Sequence, residues 1–141
     1  MGFLEKLFGG GKKYPPLGAE TPAAKKIEAM KPYLEEISNE VSDPMEVVPA
    51  DDTAFVFIGN PNKNFGMAWV DNGRVQNFKT LADEKGVAQQ QLLLMHKKLQ
   101  DAYHRSGDDK RYLMTIGGKS VVVTPSSNLA REVKDIIIGN A

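Results

Sequence analysis

The chain of 141 residues contains no cysteine. That excludes disulfides, thiolate metal sites and cysteine nucleophiles, and it allows an intracellular location. Histidine is nearly as scarce, with two copies, His96 and His104. Eight positions apart on one helical segment, they point about 80° apart around the axis and sit nearly two turns apart along it, a poor arrangement for sharing a metal. Net charge is lacking as well, since 18 Lys and Arg balance 18 Asp and Glu. Nucleic-acid binding needs clustered cations to neutralise phosphates. No run approaches the roughly 20 apolar residues of a membrane span, and no apolar leader with a small-residue cleavage site follows the start. The expectation is a soluble cytoplasmic protein of one domain with no cofactor, no metal and no nucleic-acid partner.

Catalytic motifs are thin too. Gly118, Lys119 and Ser120 have the look of the end of a phosphate-binding loop, but position 113 is Leu where that motif needs glycine. Val121, Val122 and Val123 continue as a strand where the motif needs a helix to aim its amides. No serine sits in a nucleophile elbow. The carboxylate pairs Asp51 with Asp52 and Asp108 with Asp109 flank turns, where aspartate is a common turn former. The stretch through Lys110 and Arg111 reads as a solvated loop entering a strand, with Arg105, Lys110 and Arg111 as exposed cations.

What is present begins with two strand-like runs over residues 65–80, joined by Asn72 and Gly73. That pair is a strong hairpin signal, because both central residues of a type I′ turn need positive φ. Phe65, Met67 and Trp69 fall on one face of the first run and should meet a helix. A second hairpin is marked by Gly117 and Gly118, between runs over 111–116 and 119–124. Residues 53–58 form an earlier strand, apolar on both faces.

Three helices complete the pattern. Thr21 is a cap with Pro22 at the first helical position, and Ile27, Met30, Leu34, Ile37 and Val41 then recur at alternating threes and fours. Pro32 should bend or restart that helix near Lys31. The seam fits two uses, packing on the domain's own sheet or pairing with a second copy. A main core helix runs from about Gly86 to Arg105 on Ala88, Leu92, Met95, Leu99 and Ala102, with Leu94 and Tyr103 widening its stripe. A last helix runs from about Asn128 to Ile138.

The fold expected is α+β: a five-stranded, mainly antiparallel sheet in α-βββ-α-ββ-α order, with helices packed on it. In layout alone this order is similar to that of class I type III secretion chaperones and, less closely, roadblock domains. Residues 1–20 read as a flexible tail ahead of a domain over 21–141. Its start places Phe3, Leu4, Leu7 and Phe8 on one stripe of a two-turn helix too short to stand alone, so it should dock on a partner or weakly on a membrane surface.

These features favour a non-enzymatic interaction module, an adaptor or small chaperone-like subunit, dimeric, that binds a protein partner or itself. Its partner-binding candidates are Phe3, Leu4, Leu7, Phe8, Ile27, Met30, Leu34, Ile37 and Val41. The alternative is a small-ligand sensor using the aromatic sheet face and the 59–65 loop, with Asn60, Asn62, Lys63 and Asn64 as ligand contacts. A small enzyme ranks third, because general acid and base work needs groups with tuned pKa values and no convincing set stands out.

Overall fold

The computed structural model describes residues 14–139. Two helices come first, α1 (Pro22–Ala29) and α2 (Lys31–Glu40), followed by strands β1 (Met45–Pro49), β2 (Thr53–Gly59), β3 (Phe65–Asp71) and β4 (Arg74–Asn77). Helices α3 (Phe78–Lys85) and α4 (Gln89–Arg105) come next, then β5 (Tyr112–Ile116), β6 (Lys119–Val123) and helix α5 (Ser127–Ile137). The architecture is α+β, as the pattern implies, but the sheet has six strands and is mixed. Its order is β4-β3-β2-β1-β6-β5, antiparallel throughout except between β1 and β6, which run parallel.

Two elements depart from the expected order. The stretch Met45–Pro49 is a strand rather than a connector, and all five of its residues are buried. Residues 78–80 end the β3–β4 hairpin early and open α3, because Asn77 and Thr80 cap each other's backbone N–H groups at 3.0 Å. That reciprocal pair satisfies two donors that the first helical turn would otherwise leave open. Gly86, at φ 66°, then closes α3 in a left-handed conformation, so α4 starts as a separate helix at Gln89.

Other local signals act as read. Thr21 accepts the Ala24 N–H at 3.2 Å with Pro22 at the helix start. The helix breaks at Met30, and Pro32 falls in the first turn of α2, where a missing N–H costs no hydrogen bond. Asn72 and Gly73 take φ of 52° and 70°, and Gly117 and Gly118 take 58° and 78°, the signs a type I′ turn demands.

Helices cover both faces of the sheet. On one, Ile27, Met30, Leu34 and Ile37 of α1 and α2 pack with Val47, Val56, Val70, Val121 and Val123. On the other, α3, α4 and α5 bring Leu81, Met95, Leu99, Leu129 and Val133 onto Val48, Phe55, Phe57, Met67 and Trp69. A sheet buried on both sides explains why β2 is apolar from Ala54 to Ile58 and why the core forms two clusters separated by one layer of backbone.

Helix α2 also reaches two hairpin turns. The Tyr33 hydroxyl lies where a Cβ on Gly73 would meet it at 3.3 Å, and a Cβ on Gly117 would collide with the Ser38 hydroxyl. Positive φ favours glycine at both turns, and at Gly117 the close approach of Ser38 adds to it.

Candidate functional site

The expected partner seam has a definite place. Ile27, Leu34 and Ile37 are 0%, 0% and 3% exposed, Met30 is buried and Val41 half-buried, all against the chain's own sheet. Packing on the domain, the first of the two uses, consumes their apolar surface. Phe3, Leu4, Leu7 and Phe8 lie outside the described residues.

The 59–65 loop closes on itself. The Asn60 side chain accepts the Asn62 N–H at 2.9 Å, the Lys63 N–H donates to the Asn60 carbonyl at 3.0 Å, and the Asn60 N–H donates to the Asn64 carbonyl at 3.3 Å. Asn60, Asn62, Lys63 and Asn64 are exposed around this turn, and Gln100 reaches the Lys63 carbonyl from α4. His96 stacks on Phe65 with ring centres 4.1 Å apart and its Nε2 lies 3.2 Å from the Phe65 carbonyl. The aromatic sheet face is core: Phe55, Phe57, Phe65 and Trp69 are all buried beneath α3, α4 and α5.

Three features of the site landscape were not legible as such. The first is a buried polar cluster. Glu46 on β1 receives hydrogen bonds from the Tyr103 hydroxyl at 2.8 Å, from Arg111 Nε at 3.0 Å and from the Thr124 hydroxyl at 2.6 Å. Arg111 spends three of its remaining N–H groups on the Ser106 and Asp109 carbonyls and the Ser106 hydroxyl, and its guanidinium lies 5.0 Å from the centre of the Tyr103 ring. Arg111 is thus not the exposed loop cation expected, because only 8% of it is exposed. Burial pushes the Tyr103 hydroxyl well above its ordinary value of 10, and the Glu46 carboxylate beside it acts in the same direction. Burial works against the Arg111 charge, yet Glu46, Tyr103 and Tyr14 together outweigh it and hold the guanidinium more firmly protonated than usual. Among the described residues no buried side-chain nitrogen or oxygen lacks a hydrogen-bond partner. With three donors filling its carboxylate, Glu46 ties β1 to α4, to the entrance of β5 and to the exit of β6. The signal for this cluster was a lone charge in the apolar run Met45–Pro49, since a carboxylate inside a sheet buried on both faces needs partners.

The second feature is a cleft of about 290 Å3 at the carboxyl ends of the parallel pair β1 and β6. Leu17, Pro49, Tyr112 and Pro125 supply apolar wall, while Thr21, Lys26, Ser126 and Ser127 supply polar groups. Lys26 pairs with Asp51 at 3.0 Å, and this hydrogen-bonded ammonium holds the Asp51 carboxyl below its ordinary value.

The third is a face of α4. Leu94 does not widen the buried stripe: it is 51% exposed, and its neighbour Leu93 is 64% exposed. Successive helical residues turn by 100°, so Leu92, Leu93 and Leu94 cannot all meet the same core. Leu92 does so partly, and the other two turn to water.

Among the described residues no three His, Asp or Glu side chains converge to hold a metal ion, and no helix is long and apolar enough to cross a membrane. Comparison of the chain with family models, curated proteins and solved structures finds no match.

Proposed function

We propose that this protein is a non-enzymatic interaction module that associates with a second copy through the exposed face of α4. The observation that carries the reading is the pair Leu93 and Leu94. In a chain that is 26% charged, residues 89–94 carry no charge and expose both leucines. Among the described residues the one other large apolar side chain so exposed is Ile138, at 38%. A two-fold axis across α4 brings each leucine pair onto its counterpart, the self-complementary contact that a symmetric dimer needs. The patch is small beside the roughly 800 Å2 per partner of a standard interface, so the association is weak and concentration-dependent. Residues Phe3, Leu4, Leu7 and Phe8 add, in this reading, a segment that docks on a partner or a membrane surface.

Light scattering across a concentration series tests it. The full chain should rise above its 15.5 kDa monomer mass, and Leu93→Ser with Leu94→Ser should hold it there at every concentration. A full chain that stays monomeric throughout ends the self-association reading.

A second reading, a small-ligand sensor, draws on the cleft rather than on the aromatic face or the 59–65 loop. Its 290 Å3 lies close to the lower end of ligand-pocket volumes, and its place at the carboxyl ends of parallel strands is where α/β sheets commonly bind small molecules. Saturable thermal stabilisation by a small molecule, lost in Lys26→Met, would favour the sensor over the module.

A further inference from the structure

The cleft at the carboxyl ends of β1 and β6 is walled by five separate stretches of chain. They are Leu17 ahead of α1, the start of α1, Pro49 at the end of β1, Tyr112 at the start of β5, and residues 125–127 between β6 and α5. The cleft forms there because the chain parts at that end of the sheet. After Pro49 it turns straight back into β2, whereas after Val123 it runs into α5, on the face opposite α1. Neighbouring strands whose connections diverge leave a crevice outside their carboxyl ends.

The wall is uneven in its chemistry. Lys26 is its one charged side chain, and no carboxylate lines it. The Lys26 side chain is 37% exposed, while that of its partner Asp51, on the turn between β1 and β2, is 89% exposed and stands outside the wall. An ion pair held so far into water contributes little, so another carboxylate takes the ammonium from Asp51 at small cost. Two serines supply further donors. Ser126 accepts the Leu129 N–H at 3.2 Å and keeps its own hydroxyl proton to give, and the Ser127 hydroxyl has no partner among the described residues. The Thr21 hydroxyl is already committed, since it donates to the Gly18 carbonyl at 2.7 Å. Leu17, Pro49, Tyr112 and Pro125 make up an apolar wall, three of them as rigid rings.

We infer that this cleft binds a small organic carboxylate with an apolar body, the carboxylate on Lys26 and the serine hydroxyls and the body against Leu17, Pro49, Tyr112 and Pro125. A single lysine matches a single negative charge. A phosphate group carries nearly two charges and three acceptor oxygens and is met by clustered cations or an arginine fork, neither of which lines the cleft. An inorganic anion leaves the four apolar side chains facing water, and an amine meets no acid in the wall. A cleft of about 290 Å3 suits a ligand at the small end of the usual range. The inference rests on the sensor reading, whose ligand class it names, and it is independent of association through α4.

The test titrates the full, isotope-labelled chain with 3-phenylpropionate, with its uncharged counterpart 3-phenylpropanamide and with acetate, and follows the backbone amides by NMR. Phenylpropionate should give saturable shifts at Lys26, Tyr112, Ser126 and Ser127, with a Kd on the order of 1 mM. Phenylpropanamide and acetate should each bind about tenfold more weakly, one lacking the charge and the other the apolar body. Lys26→Met should weaken phenylpropionate about tenfold and leave phenylpropanamide unchanged. Asp51→Asn frees Lys26 from its competitor and should tighten phenylpropionate about threefold. Equal binding of the two phenyl compounds at these residues, or an affinity for phenylpropionate that neither substitution moves, overturns the carboxylate class and leaves the sensor reading standing. No saturable shift from either compound up to about 20 mM overturns both.

Discussion

The two faces of the sheet are closed by different means. One is covered by α1 and α2, a helix pair consecutive in sequence, whose core from Ile27 to Val123 is built of apolar side chains, with Ser38 buried beside the Gly117 turn. The other is assembled from segments far apart in the chain, α3 with α4 and then α5, and at its margin sits the cluster of Glu46, Tyr103, Arg111 and Thr124. A face covered by one continuous stretch needs only hydrophobic burial to settle where its helices lie. A face that must bring together residues 46, 103, 111 and 124 gains from contacts that tolerate little displacement, and a carboxylate with three directed hydrogen bonds is such a contact.

The sharpest break of this comparison is Arg111→Met. It strands the Glu46 carboxylate, 8% exposed, without its cation, and loss of one partner of a buried pair costs about 3–5 kcal/mol. Chemical denaturation measures it. Replacing the pair together, Glu46→Leu with Arg111→Met, should recover more than half of the loss, because no charge then remains buried alone. A double variant no more stable than Arg111→Met would mean that the guanidinium acts through Ser106 and Asp109 rather than through Glu46.

On the apolar face the corresponding probe is Leu34→Ala. Leu34 is 0% exposed, and truncating a buried leucine costs about 2–5 kcal/mol through lost transfer energy and the cavity left behind. The contrast lies in rescue. No single second substitution on α2 should restore stability after Leu34→Ala, whereas the polar cluster responds to paired replacement. If Leu34→Ala proves nearly neutral in chemical denaturation, the α1 and α2 layer is not part of the cooperative core.

The same contrast marks what could be read in the sequence. Local signals were legible: the Thr21 cap, the break before Pro32, the two glycine-containing turns and the apolar spacing of α2 and α4. Each depends on residues within a turn or two of one another. Strand β1 was not legible, because Pro44 and Pro49 bracket it and Glu46 interrupts its apolar run, so it resembles a connector. A strand buried on both faces also has no alternation to announce it. Its parallel pairing with β6, through Glu46 opposite Val122 and Val47 opposite Val123, joins residues more than seventy positions apart, and nothing local encodes it. Helix α3 was hidden for another reason: Asn77 with Thr80 is a capping box without the usual Glu or Gln. Of the sites, the roles of Arg111 and Leu94 needed the tertiary fold, since one sits beside aspartates yet is buried and the other sits in a leucine run yet is exposed.

The finest probe of the difference between the faces is pH. Tyr103 keeps its proton in the folded protein to a higher pH than in the unfolded chain, first because it is removed from water and then because Glu46 stands beside it. A raised folded value means that the stabilising contribution is complete below the ordinary tyrosine value of 10 and is lost as pH rises beyond it, where the unfolded chain releases a proton that the folded chain retains. Isolating the effect takes a variant that lacks this ionisable hydroxyl. Tyr103→Phe is that variant: it cannot ionise, so its stability should fall less steeply than that of the unaltered chain above pH 10. At neutral pH the variant starts lower, by about 0.5–1.5 kcal/mol for the missing hydrogen bond to Glu46. The two stability curves should therefore converge as the solution is made alkaline. Curves that stay parallel would place the Tyr103 hydroxyl in contact with water, and the cluster at the margin of this face would then be an open surface rather than a buried tie.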